Sequence, residues 1–175
     1  MTEFRLADPM SRKDIGMVAY VIRTSVGWEE ERYFPIIEFL ELILPKLVPG
    51  FHLIVETETE MGNCHGLTYP DQKIIKLRED VYERAIDGSG RDRLTAAHEL
   101  FHLLQHGNKN ISFARMATES EIPAYRNPEW QATAFGGELL APTEMIKGMR
   151  EEEVAKEFGV SLAAARTQLK LANRC

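Results

Sequence analysis

Leu94-Thr95-Ala96-Ala97-His98-Glu99-Leu100-Phe101-His102-Leu103-Leu104-Gln105-His106 is the stretch on which the fold turns. Leu94, Ala97, Phe101 and Leu104 recur at helical spacing, and neither Gly nor Pro interrupts residues 92–106, so the segment predicts an amphipathic helix. Gly107 and Asn108 supply its stop signal. His98 and His102 project from one face about 6 Å apart, which lets both imidazoles reach a single zinc ion. Glu99 sits about 100° further round, within reach of a water on that ion. An ion so held acidifies water and polarises a carbonyl, while the carboxylate takes the water's proton; the chemistry is amide hydrolysis.

His106 continues the stripe of His98 and His102. It lies about 12 Å from His98 along a straight helix, too far and too collinear to complete a tetrahedral site, and reads as a helix-end histidine favoured by the negative end of the dipole. A third ligand is still required. Downstream of His102 there is no aspartate, no histidine except His106 and no cysteine except Cys175. Gln105 and Asn108 also stand where the extended HExxHxxGxxH pattern needs Gly and His. A downstream ligand is therefore a glutamate. Residues 127–142 predict a second helix, opened by Asn127 and Pro128, closed by Pro142, with Ala132, Phe135, Gly136, Leu139 and Leu140 as its buried stripe. On a helical wheel Glu129 falls within about 40° of that stripe's centre and Glu138 points away, which makes Glu129 the expected ligand. Glu119 and Glu121 are weaker competitors, because residues 117–123 carry no helical stripe to aim them.

These blocks resemble the ImmA/IrrE family of small zinc-dependent endopeptidases. Arg93-Leu94-Thr95-Ala96-Ala97-His98-Glu99 is similar to the family's arginine-aromatic-threonine lead into an Ala-His-Glu helix. Residues 129–142 are similar to its glutamate, Ala-Asn-x-Phe-Ala run and Leu-Leu-x-Pro ending. The departures are Leu94 for the aromatic, Phe101 for a small residue, Thr133 for Asn and Gly136 for Ala. Over roughly residues 66–171 the resemblance implies His98, His102 and Glu129 as metal ligands and Glu99 as catalytic base. It also implies one Zn2+ ion and, as substrate, a helix-turn-helix transcriptional repressor cut at a specific site. Two imidazoles and a carboxylate do not select zinc uniquely, so another divalent ion fits the same donors.

The composition, 175 residues with 44% hydrophobic and 27% charged, is that expected of a single domain with one core. No apolar run reaches membrane-span length and the N-terminus lacks a signal pattern, so a cytoplasmic protein is expected. Cys64 and Cys175 are too few for a disulfide framework. Adjacent side chains diverge on an extended backbone, so Cys64-His65 reads as a small buried cysteine rather than a metal pair. A formal charge of -6 disfavours a non-specific nucleic-acid binder and leaves open a basic protein substrate.

The expected fold is α+β and zincin-like: a small antiparallel or mixed three-stranded sheet packed on the HExxH helix, with additional N- and C-terminal helices. Residues 1–50 form a helical part, opened by a capping box at Ser11-x-x-Asp14 with Ile15, Val18, Ala19 and Ile22 following. A second helix runs from Pro35, with Ile36, Ile37, Leu40, Ile43, Leu44 and Leu47 inward. Residues 51–145 hold the sheet and the active-site helices, with strands at 51–56, 66–69 and 73–77 and a turn at Pro70-Asp71-Gln72. The hairpin 66–77 is the edge on which an extended substrate would pair. Asp87-Gly88-Ser89-Gly90 reads as a turn or mobile loop beside the site.

Residues 146–175 form a helical pair in which residues 154–161 have helix-turn-helix spacing and Ser161 caps the second helix. Leu162-Ala163-Ala164-Ala165 is apolar, only Arg166, Gln168 and Lys170 could reach DNA, and Glu151, Glu152 and Glu153 would repel it; packing or partner contact is the preferred reading. Two alternatives to a peptidase stay open: a non-proteolytic module that binds a repressor, and a DNA-binding regulator using these helices. Tyr69, Tyr125 and Arg126 are the chemically suitable residues to stabilise an oxyanion.

Overall fold

The computed structural model describes residues 2–107, 111–116 and 122–174, with 2–4 and 111–116 described by their backbone alone. Strand β1 (Thr2–Ala7) leads into helix α1 (Arg12–Ser25), which starts at the expected capping box. There the Ser11 hydroxyl accepts from the Asp14 amide at 3.2 Å, and the Asp14 carboxylate accepts from the Ser11 amide at 2.9 Å. The next helical segment is broken into α2 (Ile36–Glu38), a π turn (Phe39–Ile43) and α3 (Leu44–Leu47). Pro45 cannot donate to the carbonyl four residues back, and the wider turn accommodates that loss. Ile36, Ile37, Leu40 and Leu44 are buried. Leu47, expected inward, is 53% exposed, because the π turn rotates the positions that follow it.

Strands β2 (His52–Glu56), β3 (Gly66–Tyr69) and β4 (Ile74–Arg78) make the mixed three-stranded sheet, and helix α4 (Glu58–Met61) connects the first two. β2 runs parallel to β4 and β3 antiparallel to it, in the order β2-β4-β3, which leaves β3 at an edge. Pro70–Gln72 is a 3-10 turn closed by Lys73 at φ 56°. Ile75 and Leu77 bury the sheet's inner face against helices α5 (Glu79–Ile86) and α6 (Gly90–Gln105). A second, two-stranded sheet pairs β1 antiparallel with β5 (Ile111–Met116) and adds a strand to the otherwise helical N-terminal part. The partners lie over a hundred residues apart, so no local pattern announces the pairing.

Helices α7 (Pro128–Leu140), α8 (Thr143–Ile146), α9 (Glu151–Phe158) and α10 (Leu162–Ala172) complete the α+β architecture. Among the described residues no helix is long and apolar enough to cross a membrane. The expected loop beside the site is instead a tight joint at the far end of α6. Ser89 Oγ donates to Asp92 at 2.6 Å, and a Cβ on Gly90 would stand 2.3 Å from the Ser161 amide nitrogen. The α9–α10 turn therefore rests directly on the α6 N-terminus. In α10, Arg166 and Lys170 are exposed, Arg166 being engaged with Glu151 at 2.8 and 2.9 Å, while Gln168, the third of the supposed DNA contacts, is buried.

Candidate metal centre

Helices α6 and α7 lie antiparallel and close. A Cβ on Gly136 would stand 3.6 Å from Ala97 Cβ and 2.7 Å from Leu94 Cδ1, so the two small residues set the spacing. Phe101 and Phe135 stack with ring centroids 4.7 Å apart. Two turns before Gly136, this approach brings Glu129 beside His98 and His102. Asn127 caps the helix there, accepting from the Glu129 and Trp130 amides at 2.9 and 3.1 Å, which holds the first turn in place.

The three ligating atoms of His98, His102 and Glu129 lie within 4.8 Å of one another. His98 Nε2 is 2.9 Å from His102 Nε2 and 3.0 Å from Glu129 Oε2, and His102 Nε2 is 3.4 Å from Glu129 Oε1. Tetrahedral bonds of about 2.0–2.1 Å to a common ion require donor separations of about 3.3 Å, so the spacing fits. The far nitrogens also have partners: His98 Nδ1 lies 3.3 Å from Thr133 Oγ1 and His102 Nδ1 lies 2.7 Å from His106 Nδ1. With both Nε2 atoms and a carboxylate converging, three electron-rich atoms share a space that a cation suits. The neighbouring His102 and His98 imidazoles hold the Glu129 carboxyl well below the usual carboxylate range.

Glu99 is buried, and its Oε2 accepts from the Thr68 hydroxyl of β3 at 2.6 Å. A Cβ on Gly66 would fall 2.7 Å from Glu99 Cγ, so only glycine lets the strand pass this close. Two cavities flank the pair His98 and Glu99 and share Gly66 as a wall. One, of about 450 Å³, is lined by Arg5, residues 66–72 and the three histidines of α6; the other, of about 430 Å³, by Asn63, Cys64, His65, Arg91, Thr95 and Thr133.

Several expectations need correction. His106 is not a dipole-stabilised, charged helix end. It is 4% exposed, caps α6, and burial pushes its pKa down to about 4. Its Nε2 donates to Gln131 Oε1 at 2.9 Å. The wheel argument separating Glu129 from Glu138 also fails: Glu129 opens onto the cleft with its side chain 62% exposed, and Glu138 is the buried carboxylate. α7 is covered nearly all round, and Glu138 faces α1 and α10, where it pairs with Arg12 at 3.4 Å and accepts from Gln168 at 3.2 Å. Of the three oxyanion candidates, Tyr69 lines the cleft, whereas Tyr125 and Arg126 line neither cavity and Arg126 donates to the Ala7 carbonyl at 3.5 Å. Glu119 and Glu121 lie outside the described residues. Among the described residues Cys64-His65 joins no metal cluster; Cys64 Sγ lies 3.0 Å from the Gly66 carbonyl oxygen. Sequence reasoning missed Arg5, Gly66, Thr68 and Gln131. A glycine and a threonine in an edge strand carry no motif, while Gln131 was legible only as a polar residue in an apolar helix.

No curated protein matches the chain. A solved structure described as a Mycobacterium tuberculosis transcriptional regulator shares the fold, with a TM-score of 0.60 at 16% identity over 87% of this chain. The chain spans 45% of the length of that protein. The family model of the IrrE N-terminal-like domain, peptidase M78, matches residues 52–170, from the start of β2 to the last turns of α10. That match takes in both helices of the His98, His102 and Glu129 cluster and the strand beside Glu99, and the chain belongs to the IrrE N-terminal-like, peptidase M78 family.

Proposed function

We propose that the chain is a metal-dependent endopeptidase in which His98, His102 and Glu129 hold one divalent ion, zinc by preference, and Glu99 is the general base. Its proposed substrate is a helix-turn-helix transcriptional repressor. The observation that carries the reading is the convergence of three donor atoms within 4.8 Å, with the carboxylate of Glu99 next to them and a cleft in front. When bound, the ion supplies Lewis acidity and an acidified water. Glu99, steadied by the Thr68 hydroxyl, would hold on its carboxylate the proton given up by the attacking water and pass it to the leaving amine. β3, an edge strand among the described residues, offers backbone groups to an extended peptide running along the cleft. The two cavities would then receive side chains on either side of the scissile bond, and Tyr69, which lines the cavity of about 450 Å³, is the residue we assign to the developing oxyanion on its chemistry. The choice of a repressor rests on the family resemblance.

Glu99→Gln is the test. Cleavage of a helix-turn-helix repressor offered as substrate is expected to fall by about 10²–10⁴-fold, with metal per chain unchanged. Wild-type cleavage by the variant removes Glu99 from the mechanism. A wild-type protein that binds the repressor one to one and leaves it whole makes the chain a binding module instead.

A further inference from the structure

We propose that Gln131 and His106 form a one-way hydrogen-bond chain that fixes His102 in the tautomer a metal ion needs. The inference rests on reading His98, His102 and Glu129 as ligands, and names two positioning residues that motif matching does not supply.

The direction of the chain is set at its far end. Gln131 is fully buried, and its Nε2 lies 2.8 Å from two carbonyl oxygens, those of Asp8 and Tyr125. Only an amide NH2 satisfies two acceptors, so the side chain has one orientation and Oε1 is left as an acceptor. That oxygen lies 2.9 Å from His106 Nε2, which therefore carries a hydrogen. An imidazole with its hydrogen on Nε2 has a bare Nδ1, and His106 Nδ1 is 2.7 Å from His102 Nδ1. The hydrogen between them belongs to His102. Its Nε2 then keeps the lone pair, aimed at the space it shares with His98 Nε2 at 2.9 Å and Glu129 Oε1 at 3.4 Å. An isolated histidine in water prefers the opposite tautomer, so the chain works against the default.

His98 meets the opposite arrangement: Glu129 Oε2, which can only accept, lies 3.0 Å from its Nε2 and draws the hydrogen there in the metal-free protein. Its Nδ1 faces Thr133 Oγ1 at 3.3 Å, and a hydroxyl donates or accepts equally well. His102 is thus the ligand prepared in advance. The preparation begins in the link between β1 and α1 and in the 3-10 turn Ala124–Arg126, segments remote from the HExxH motif.

The experiment pairs long-range 1H–15N spectra of the metal-free protein with zinc affinity measured against a chromophoric chelator. It uses wild type, Gln131→Met, His106→Leu and the control Gln168→Met. Wild-type His102 is expected as the Nδ1–H tautomer. In Gln131→Met and His106→Leu it shifts toward Nε2–H, and zinc affinity falls about 10–100-fold. Gln168→Met removes an equally buried amide from α10 and moves neither readout, which separates positioning from general stability. His102 found as Nε2–H in wild type overturns the chain, and that spectrum decides the matter even where a variant fails to fold. Wild type that binds zinc while both variants bind it as tightly overturns the chain alone; wild type that binds no zinc overturns the metal site and the chain with it.

Discussion

Glu99 is confined from two sides, and both constraints come from β3. Thr68 Oγ1 donates to its carboxylate at 2.6 Å and also lies 3.1 Å from its backbone oxygen, while the Gly66 backbone passes where any Cβ would strike Glu99 Cγ at 2.7 Å. Gly66→Ala is therefore expected to displace the carboxylate without touching a ligand. Its kcat should fall about 10–100-fold, as misplacement by an ångström does, with zinc per chain unchanged by mass spectrometry. A variant of undiminished kcat would mean that Glu99 has room to spare. The spacing of His98, Glu99 and His102 is legible because helical periodicity is local, and the three positions follow from counting residues. The Thr68 contact spans 31 residues and depends on a sheet register that no count provides. Glu129 shows the same limit from the other side. Elimination by residue type led to it, and it does lie with the histidines, yet the wheel argument credited it with the burial that belongs to Glu138.

The elements around the site are joined by buried charges rather than by apolar contact alone. Arg93, on the far side of α6 from the cleft, donates to the Phe158, Gly159 and Phe34 carbonyls and lies 3.8 Å over the Tyr33 ring. It closes the C-terminal end of α9 and ties the α9–α10 turn to the N-terminal helices. Arg93→Met keeps the stem and strands those carbonyls, and should cost about 3–5 kcal/mol in urea unfolding. A loss below about 1 kcal/mol would show that water replaces the guanidinium. Asp92 ties α5 to α6 in a pH-dependent way. Burial alone would raise its pKa, but the Arg84 guanidinium and the Ser89 hydroxyl outweigh it and hold the carboxyl below its ordinary value of 3.8. The unfolded chain then binds the proton more readily, so this stability is complete above about pH 4 and disappears as pH falls through the native pKa. With Arg84 half exposed, Asp92→Asn should cost about 1–3 kcal/mol at pH 7, and the gap to wild type should close as pH falls through the lowered native pKa. A gap independent of pH would assign the loss to packing. α1, α7 and the three strands of the mixed sheet were readable from caps, turns and alternation. The π turn before Pro45 and the β1–β5 pairing were not, because one answers a steric conflict inside a helix and the other joins strands over a hundred residues apart.

At the scale of the whole molecule, the donor cluster is a junction between two helices that are already packed. His98 and His102 come from α6, Glu129 from the first turn of α7, and the buried path through His106 and Gln131 extends the junction to Asp8 and Tyr125. A cation bound there by the folded chain and not by the unfolded one adds stability by mass action. The gain is about 2.7 kcal/mol with free metal at a hundred times Kd. For a chain of this length each kcal/mol moves the melting temperature by about 2–4 °C, so zinc should raise it by about 5–10 °C and a chelator should reverse the rise. The α6–α7 contact at Ala97 and Gly136, together with the Phe101 and Phe135 stack, needs no ion, so the metal-free protein should still unfold in one cooperative step. Glu129→Ala separates the two contributions, because it removes a donor from a side chain that is largely exposed and leaves the core alone. It should melt within a few degrees of metal-free wild type, with and without zinc. Should the variant gain the full increment from zinc, the third donor is another residue, and the proposed hydrolytic geometry built on Glu129 fails with it.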